Sequence, residues 1–225
     1  MTEEEWLMCI DPGPMLEFLR GKVSERKLRL LACSCCHRCI HLVPPESLDD
    51  EGRPWVDLIQ QAVSVGEKLA DGKTVRQDEP IPGIAWTCVD GWYAFLSCAS
   101  PFDDLLEVPA TVAWAVAGLV SNRSQLNSHN ENNTGAEKAE REAQISLVRD
   151  IFPFRPITIS SSWLTSTVIS LAQGIYTDRA FDRMPILADA LQDAGCSNDE
   201  ILNHCRRPGT HTRGCFVIDL LTGRQ

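Results

Sequence analysis

The side chains best suited to chemistry lie near the C-terminal end of the chain, in the segment GCSNDEILNHCRRPGTHTRGC. Cys196, His204, Cys205, His211 and Cys215 fall within about twenty residues, and thiolates and imidazoles are the usual ligands of zinc. The spacing Cys-x5-His-x3-Cys surrounds a Pro-Gly turn, which can fold ligands around an ion, although it matches no standard zinc finger. Alternatively, the cysteines are buried in a core and the histidines make structural hydrogen bonds.

A second group of thiols lies in LLACSCCHRCIH, where Cys33, Cys36 and Cys39 follow one another at Cys-x-x-Cys spacing. Residues three apart are neighbours on a helix, so two of these thiols could chelate one ion. A single helix cannot surround a tetrahedral ion, so the other ligands would have to come from elsewhere. Packing of small buried thiols between helices is the main alternative, and redox chemistry is a further one.

Catalysis and anion binding are weaker interpretations of the same C-terminal segment. A Cys215 nucleophile would need His204 or His211 to lower its pKa, but no family-specific signature surrounds them. Arg206, Arg207 and Arg213 could bind a phosphate or carboxylate, or else pair with the many acidic residues of the chain.

Several common activities find no support in the sequence. The chain has no Walker A or dinucleotide-binding glycine motif, no H-E-x-x-H and no G-x-S-x-G. Residues 185–206 form a predicted helix–turn–helix, but the second helix begins with acidic residues where a DNA phosphate would lie. This pair of helices is therefore interpreted as a packing hairpin.

Composition narrows the class of protein and its compartment. The 225 residues carry a formal net charge of −10, which disfavours general binding to nucleic acid or anionic membranes. The acidic N-terminus does not resemble a signal peptide, and no apolar run is long enough to span a membrane. We therefore expect a cytoplasmic protein whose ten cysteines are mainly reduced thiols.

Helical periodicity dominates the chain and predicts the elements that position these groups. Ser24 is a predicted N-cap, Gly72 a predicted stop, and Thr134 with Glu137 and Ser197 with Glu200 are predicted capping boxes. The predicted helices cover 14–21, 25–43, 54–71, 86–98, 108–120, 134–149, 162–176, 185–194 and 197–206.

The remaining segments predict one short extended region and one polar loop. Residues 153–160 are extended, 215–221 form a strand or helix, and 121–134 is an Asn-rich loop. The predicted fold is mainly α, a multi-helix orthogonal bundle with at most a short extended segment. It forms a single helical domain over 1–225, with the loop at about 121–134 as the one candidate boundary.

Three long blocks of the chain resemble a family of uncharacterised planctomycete proteins, whose relatives are sometimes labelled SMI1/KNR4. The resemblance implies a bacterial, cytoplasmic protein and identifies no catalytic residue. It covers both ends of the chain and matches the middle, about 44–135, least well. The blocks are WLMCIDPGPMLEFLRGKVSERKLRLLACSCCHRCIHL, RDIFPFRPITISSSWLTSTVISLAQGIYTDRAFDRMPILADALQDAGC and ILNHCRRPGTHTRGCFVIDLLTG.

Three functional hypotheses follow from the sequence. The leading one is a non-catalytic helical protein that acts through contacts with an unidentified protein partner and needs no cofactor. The second is a zinc-stabilised domain built from the two Cys/His groups. The third is a Cys/His enzyme or anion-binding protein centred on residues 204–215. The six tryptophans can serve cores or interfaces: Trp6, Trp55, Trp86, Trp92, Trp114 and Trp163.

Overall fold

The computed structural model describes residues 1–49, 51–74 and 132–224, with side chains of the last range from 138 onward. Its mainly helical, multi-helix character confirms the predicted fold class. Within these ranges there is no strand, and an isolated bridge joins Leu48 to Pro54. The described helices are α1 (Glu3–Met8), α2 (Pro12–Leu19), α3 (Glu25–Cys39), α4 (Trp55–Ala70), α5 (Asn132–Ile151), α6 (Ser166–Asp178), α7 (Met184–Asp193), α8 (Asp199–Arg206) and α9 (Phe216–Thr222).

The helix boundaries follow local capping chemistry, in most places as the sequence predicts. The Ser24 side chain accepts a hydrogen bond from the Lys27 N–H at the start of α3, which confirms the predicted N-cap. Gly72, the predicted stop just beyond the end of α4, has a φ of +68°, a conformation that favours glycine. Pro185 occupies the first turn of α7, where its missing N–H has no helical partner to lose.

Three local features differ from the prediction, and capping chemistry explains two of them. Helix α1 was not predicted, although Thr2 and Glu5 form a capping box that starts it. Asn198 rather than Ser197 caps α8, because its side chain accepts from two backbone N–H groups. Helix α5 begins at Asn132, ahead of the predicted cap at Thr134.

The chain divides into two compact units, Met1–Ile145 and Ser146–Gln225. In the N-terminal unit, α3 packs against α4, and the Cys33 thiol donates to the backbone carbonyl of Val63 at 3.7 Å. An ion pair between Arg38 and the buried Glu140, at 3.1 Å, also lies within this unit. The Cys33 thiol of α3 is thus part of a helix–helix contact.

The C-terminal unit has its own apolar core, formed where α6, α7, α8 and α9 pack together. Leu187 and Leu191 of α7 and Ile201 of α8 are fully buried in it. The short run 215–221, ambiguous in sequence, ends as helix α9 with Ile218 and Leu221 inside this core. Burial of these side chains fixes the ends of α8 and α9, which carry the candidate site.

Some predictions fall outside the described residues. These include the helices at 86–98 and 108–120 and nearly all of the polar loop at 121–134, so the predicted domain boundary stays a prediction. None of the described helices is both long enough and apolar enough to cross a bilayer.

Candidate metal centre

Four side chains of metal-ligand type converge in the C-terminal unit. Asp150 lies in the last turn of α5, His204 in the last turn of α8, His211 in the following loop, and Cys215 just before α9. One ligand atom from each of the four lies within 4.8 Å of the corresponding atoms of the others. Three separate helix ends and a loop therefore meet at one point.

Three short distances define a tight cluster around one carboxylate oxygen. Oδ1 of Asp150 lies 2.6 Å from His211 Nδ1 and 3.1 Å from His204 Nε2. The same His204 nitrogen lies 3.2 Å from Cys215 Sγ. Zinc bonds of 2.0–2.3 Å place tetrahedral ligands about 3.3–3.8 Å apart, so small side-chain shifts would admit an ion.

The loop between α8 and α9 carries His211 and Cys215, and its backbone conformation positions both side chains. The Cys215 N–H donates to the Thr212 carbonyl at 3.0 Å, which closes a turn around Gly214. Gly214 has a φ of +94°, a value that disfavours any residue with a Cβ. The Thr212 N–H in turn donates to Asp150 Oδ2 at 3.0 Å, so the loop is fastened to the end of α5.

Burial and charge set the electrostatics of the cluster. Burial acts to raise the pKa of the Asp150 carboxyl, but its hydrogen bonds with His204 and His211 outweigh this and lower that pKa. Burial, and then the Asp150 carboxylate, raise the pKa of the Cys215 thiol well above its ordinary value. The same two causes raise the pKa of Cys205 to about 12. Without a cation these thiols stay protonated at neutral pH.

The arrangement does not fit a Cys–His–Asp catalytic triad. In a triad the histidine uses one ring nitrogen for the nucleophile and the other for the carboxylate. Here His204 presents Nε2 to both Cys215 and Asp150, so it cannot relay a proton between them. Ligand atoms gathered this closely could instead hold a metal ion.

His211 is also not fully satisfied as a structural hydrogen-bonding group. His211 Nε2 is buried and has no hydrogen-bond partner among the described residues, whereas Nδ1 faces Asp150. His204 is held differently, by ring contacts to Phe216 at 4.3 Å and to His211 at 4.9 Å between centroids. The imidazoles are thus positioned chiefly by packing and by the carboxylate between them.

The structure brings together three of the eight predicted metal ligands and adds one. His204, His211 and Cys215 belong to the cluster, together with Asp150, which the sequence did not single out. Cys196 and Cys205 are buried in the neighbouring apolar core. The other three, Cys33, Cys36 and Cys39, are buried on α3 and form no such group with described ligand-type residues.

The three arginines of the predicted anion site are separated by the structure. Arg206 contacts Asp189 at 3.0 Å and Gln192 at 2.6 Å, both on α7. Arg213 lies over the Tyr176 ring at 4.8 Å. Arg207 alone lines a cavity beside the metal-type cluster.

The thiols of the C-terminal unit should be slow to react in the native protein. Cys205 and Cys215 have no exposed surface and raised pKa values, whereas Cys9 is half-buried. We expect pulse alkylation at neutral pH, mapped by mass spectrometry, to label Cys9 first and the other two only under unfolding conditions. Labelling of native Cys215 at the rate of Cys9 would contradict the buried, unactivated thiol described here.

Fold and site together define a mainly helical protein with a candidate metal centre in its C-terminal unit. No protein-family model, curated protein or solved structure is significantly similar to this chain.

Proposed function

We propose that the C-terminal unit is a zinc-binding domain in which Asp150, His204, His211 and Cys215 hold one ion. The observation that carries this proposal is the position of His204 Nε2, within 3.2 Å of both Asp150 Oδ1 and Cys215 Sγ. A cation bound between these atoms would be coordinated by the His204 nitrogen, the Asp150 carboxylate and the Cys215 thiolate together. It would also offset the mutual repulsion of the two anionic groups.

The donor set favours zinc over other common ions. A thiolate and two imidazoles are poor ligands for Mg²⁺ and Ca²⁺, which prefer oxygen, whereas zinc accepts sulfur, nitrogen and carboxylate oxygen. With one thiolate, one carboxylate and two neutral imidazoles, the net charge of a zinc complex is zero. A neutral complex suits ligands as buried as Asp150 and Cys215, which are 3% and 0% exposed.

The ion would have a structural role. Four protein ligands complete a tetrahedron and leave no position for a substrate, which is typical of structural zinc sites. The ligands come from the ends of α5 and α8, from the loop after α8, and from the start of α9. Zinc would therefore join segments that are far apart in sequence and stabilise the C-terminal unit.

The zinc content of purified protein tests this proposal. Protein prepared without chelator should contain about one zinc per chain, measured by elemental mass spectrometry against protein concentration. Cys215→Ala should lower the content to near zero because it removes a ligand. Cys205→Ala is the matched control, since it deletes an equally buried thiol outside the cluster and should leave the zinc content unchanged.

Two results would overturn the proposal: wild-type protein that takes up no zinc on reconstitution, or Cys215→Ala protein that retains the wild-type content. Circular dichroism of each variant establishes that it is folded before its metal is measured. His211→Gln serves as a second ligand variant should Cys215→Ala fail to fold.

Action through protein–protein contacts is a second candidate function, and it is compatible with structural zinc. The observation in its favour is a group of apolar side chains at the end of α1 and just beyond it. Leu7, Met8 and Ile10 are 61%, 75% and 83% exposed. Adjacent exposed apolar residues of this kind often mark a contact surface.

A further inference from the structure

A small cavity adjoins the metal-type cluster within the C-terminal unit. Its volume is about 130 Å³, and Asp150, His204 and His211 form part of its wall. A water molecule needs roughly 10–15 Å³ of such space, so the cavity has room for a compact polyatomic ion. The cavity is therefore large enough for a small ligand.

The rest of the cavity wall is basic and rich in hydrogen-bond donors. Arg149 and Arg207 line it from α5 and from the end of α8, and the hydroxyl residues Ser146 and Thr210 line it as well. Guanidinium groups bind phosphate through charge-assisted hydrogen bonds, often two at a time. Among the described residues of the wall, Asp150 supplies the carboxylate, which already accepts from His204, His211 and the Thr212 N–H.

We propose that this cavity binds a phosphate group, held by Arg149 and Arg207 with hydrogen bonds from Ser146 and Thr210. This inference rests on the proposed zinc site in one respect: a zinc ion would offset the negative charge of Asp150, the carboxylate among the described residues of the wall. In protein without zinc, the Asp150 carboxylate opposes the anion. The proposal thus couples phosphate affinity to metal occupancy.

Isothermal titration of zinc-loaded protein with inorganic phosphate tests the proposal, after free zinc has been removed and the bound zinc measured. We expect saturable binding of one phosphate per chain. Arg207→Ala should weaken it about tenfold or more, as loss of a charge-assisted contact does. Arg206→Ala is the matched control: this neighbouring, similarly exposed arginine contacts Asp189 and Gln192 instead of the cavity, and its loss should change affinity less than about twofold.

A parallel titration with methyl phosphate distinguishes a free phosphate ion from a phosphate monoester. Equal or tighter binding of the ester identifies a monoester ligand, weaker binding identifies the free ion, and both support the site. Failure of zinc-loaded protein to bind either compound would overturn it, as would equal losses in Arg207→Ala and Arg206→Ala. Zinc is quantified before and after each titration, so failure of the metal site and failure of the phosphate site give different results.

Discussion

Asp150→Ala is expected to lower the free energy of unfolding by about 3–5 kcal/mol, the range for removing one partner of a buried charged network. The carboxylate is 3% exposed and accepts hydrogen bonds through both oxygens. Its loss leaves the Thr212 N–H without its acceptor and the facing nitrogens of His204 and His211 without the group between them. Urea unfolding followed by far-ultraviolet circular dichroism measures the difference.

The matched control for this substitution is Asp189→Ala. The Asp189 side chain is 73% exposed and contacts Arg206 at 3.0 Å, an arrangement worth about 0–1 kcal/mol. Both variants remove a carboxylate paired with basic side chains, and they differ in burial and in membership of the cluster. Equal destabilisation by the two substitutions would show that the Asp150 cluster does not support the fold.

Removal of zinc is expected to destabilise the protein by about as much as the Asp150→Ala substitution. An ion that binds only the folded state stabilises it by about 4 kcal/mol when its free concentration is a thousand times the dissociation constant. The corresponding fall in melting temperature on chelation is on the order of 10 °C. Thermal melts of the same preparation after chelation and after zinc is restored measure this shift.

The Cys215→Ala variant gives this experiment its control. Because it lacks a ligand, its melting temperature should be low and should not respond to chelator or to added zinc at stoichiometric levels. Identical melts of the wild-type protein with and without zinc would contradict a structural role for the ion. Recovery of the original melting temperature on zinc addition would separate metal loss from irreversible damage.

Most of the described fold could be predicted from the sequence because it depends on local signals. Ser24 and the apolar periodicity of α4 act within a few residues of each other, and both predictions held. The cap of α8 was misassigned because two local signals compete at Ser197 and Asn198. The run 215–221 is too short to show a period, so strand and helix both stayed open. Burial of Ile218 in the C-terminal core accompanies its helical conformation as α9.

The candidate site was predictable only in part, because its ligands are not all close in sequence. His204, His211 and Cys215 stood out because a single loop carries them. Asp150 lies 61 positions before His211, and only the folded chain brings the two together. One sequence signal could have indicated it: Asp150 lies between the apolar pairs Leu147-Val148 and Ile151-Phe152, and a charge buried among them requires a partner.

The cysteines of α3 show the opposite case, in which a conspicuous spacing coincides with packing. Their Cys-x-x-Cys repeat resembles a chelating motif, yet Cys33, Cys36 and Cys39 are each at most 1% exposed, on a helix that packs against α4. The Cys33 thiol bonds to the Val63 carbonyl in that contact. Burial of small thiols between helices accounts for this pattern without a ligand.

X-ray absorption at the zinc edge tests the central claim most directly, because it counts the sulfur ligands of the bound ion. Zinc held by Asp150, His204, His211 and Cys215 should show a single sulfur at about 2.3 Å and three nitrogen or oxygen neighbours at about 2.0–2.2 Å. The sulfur shell should vanish in any zinc-loaded Cys215→Ala sample. Two or more sulfur ligands in the wild-type spectrum, or none, would contradict the site proposed here.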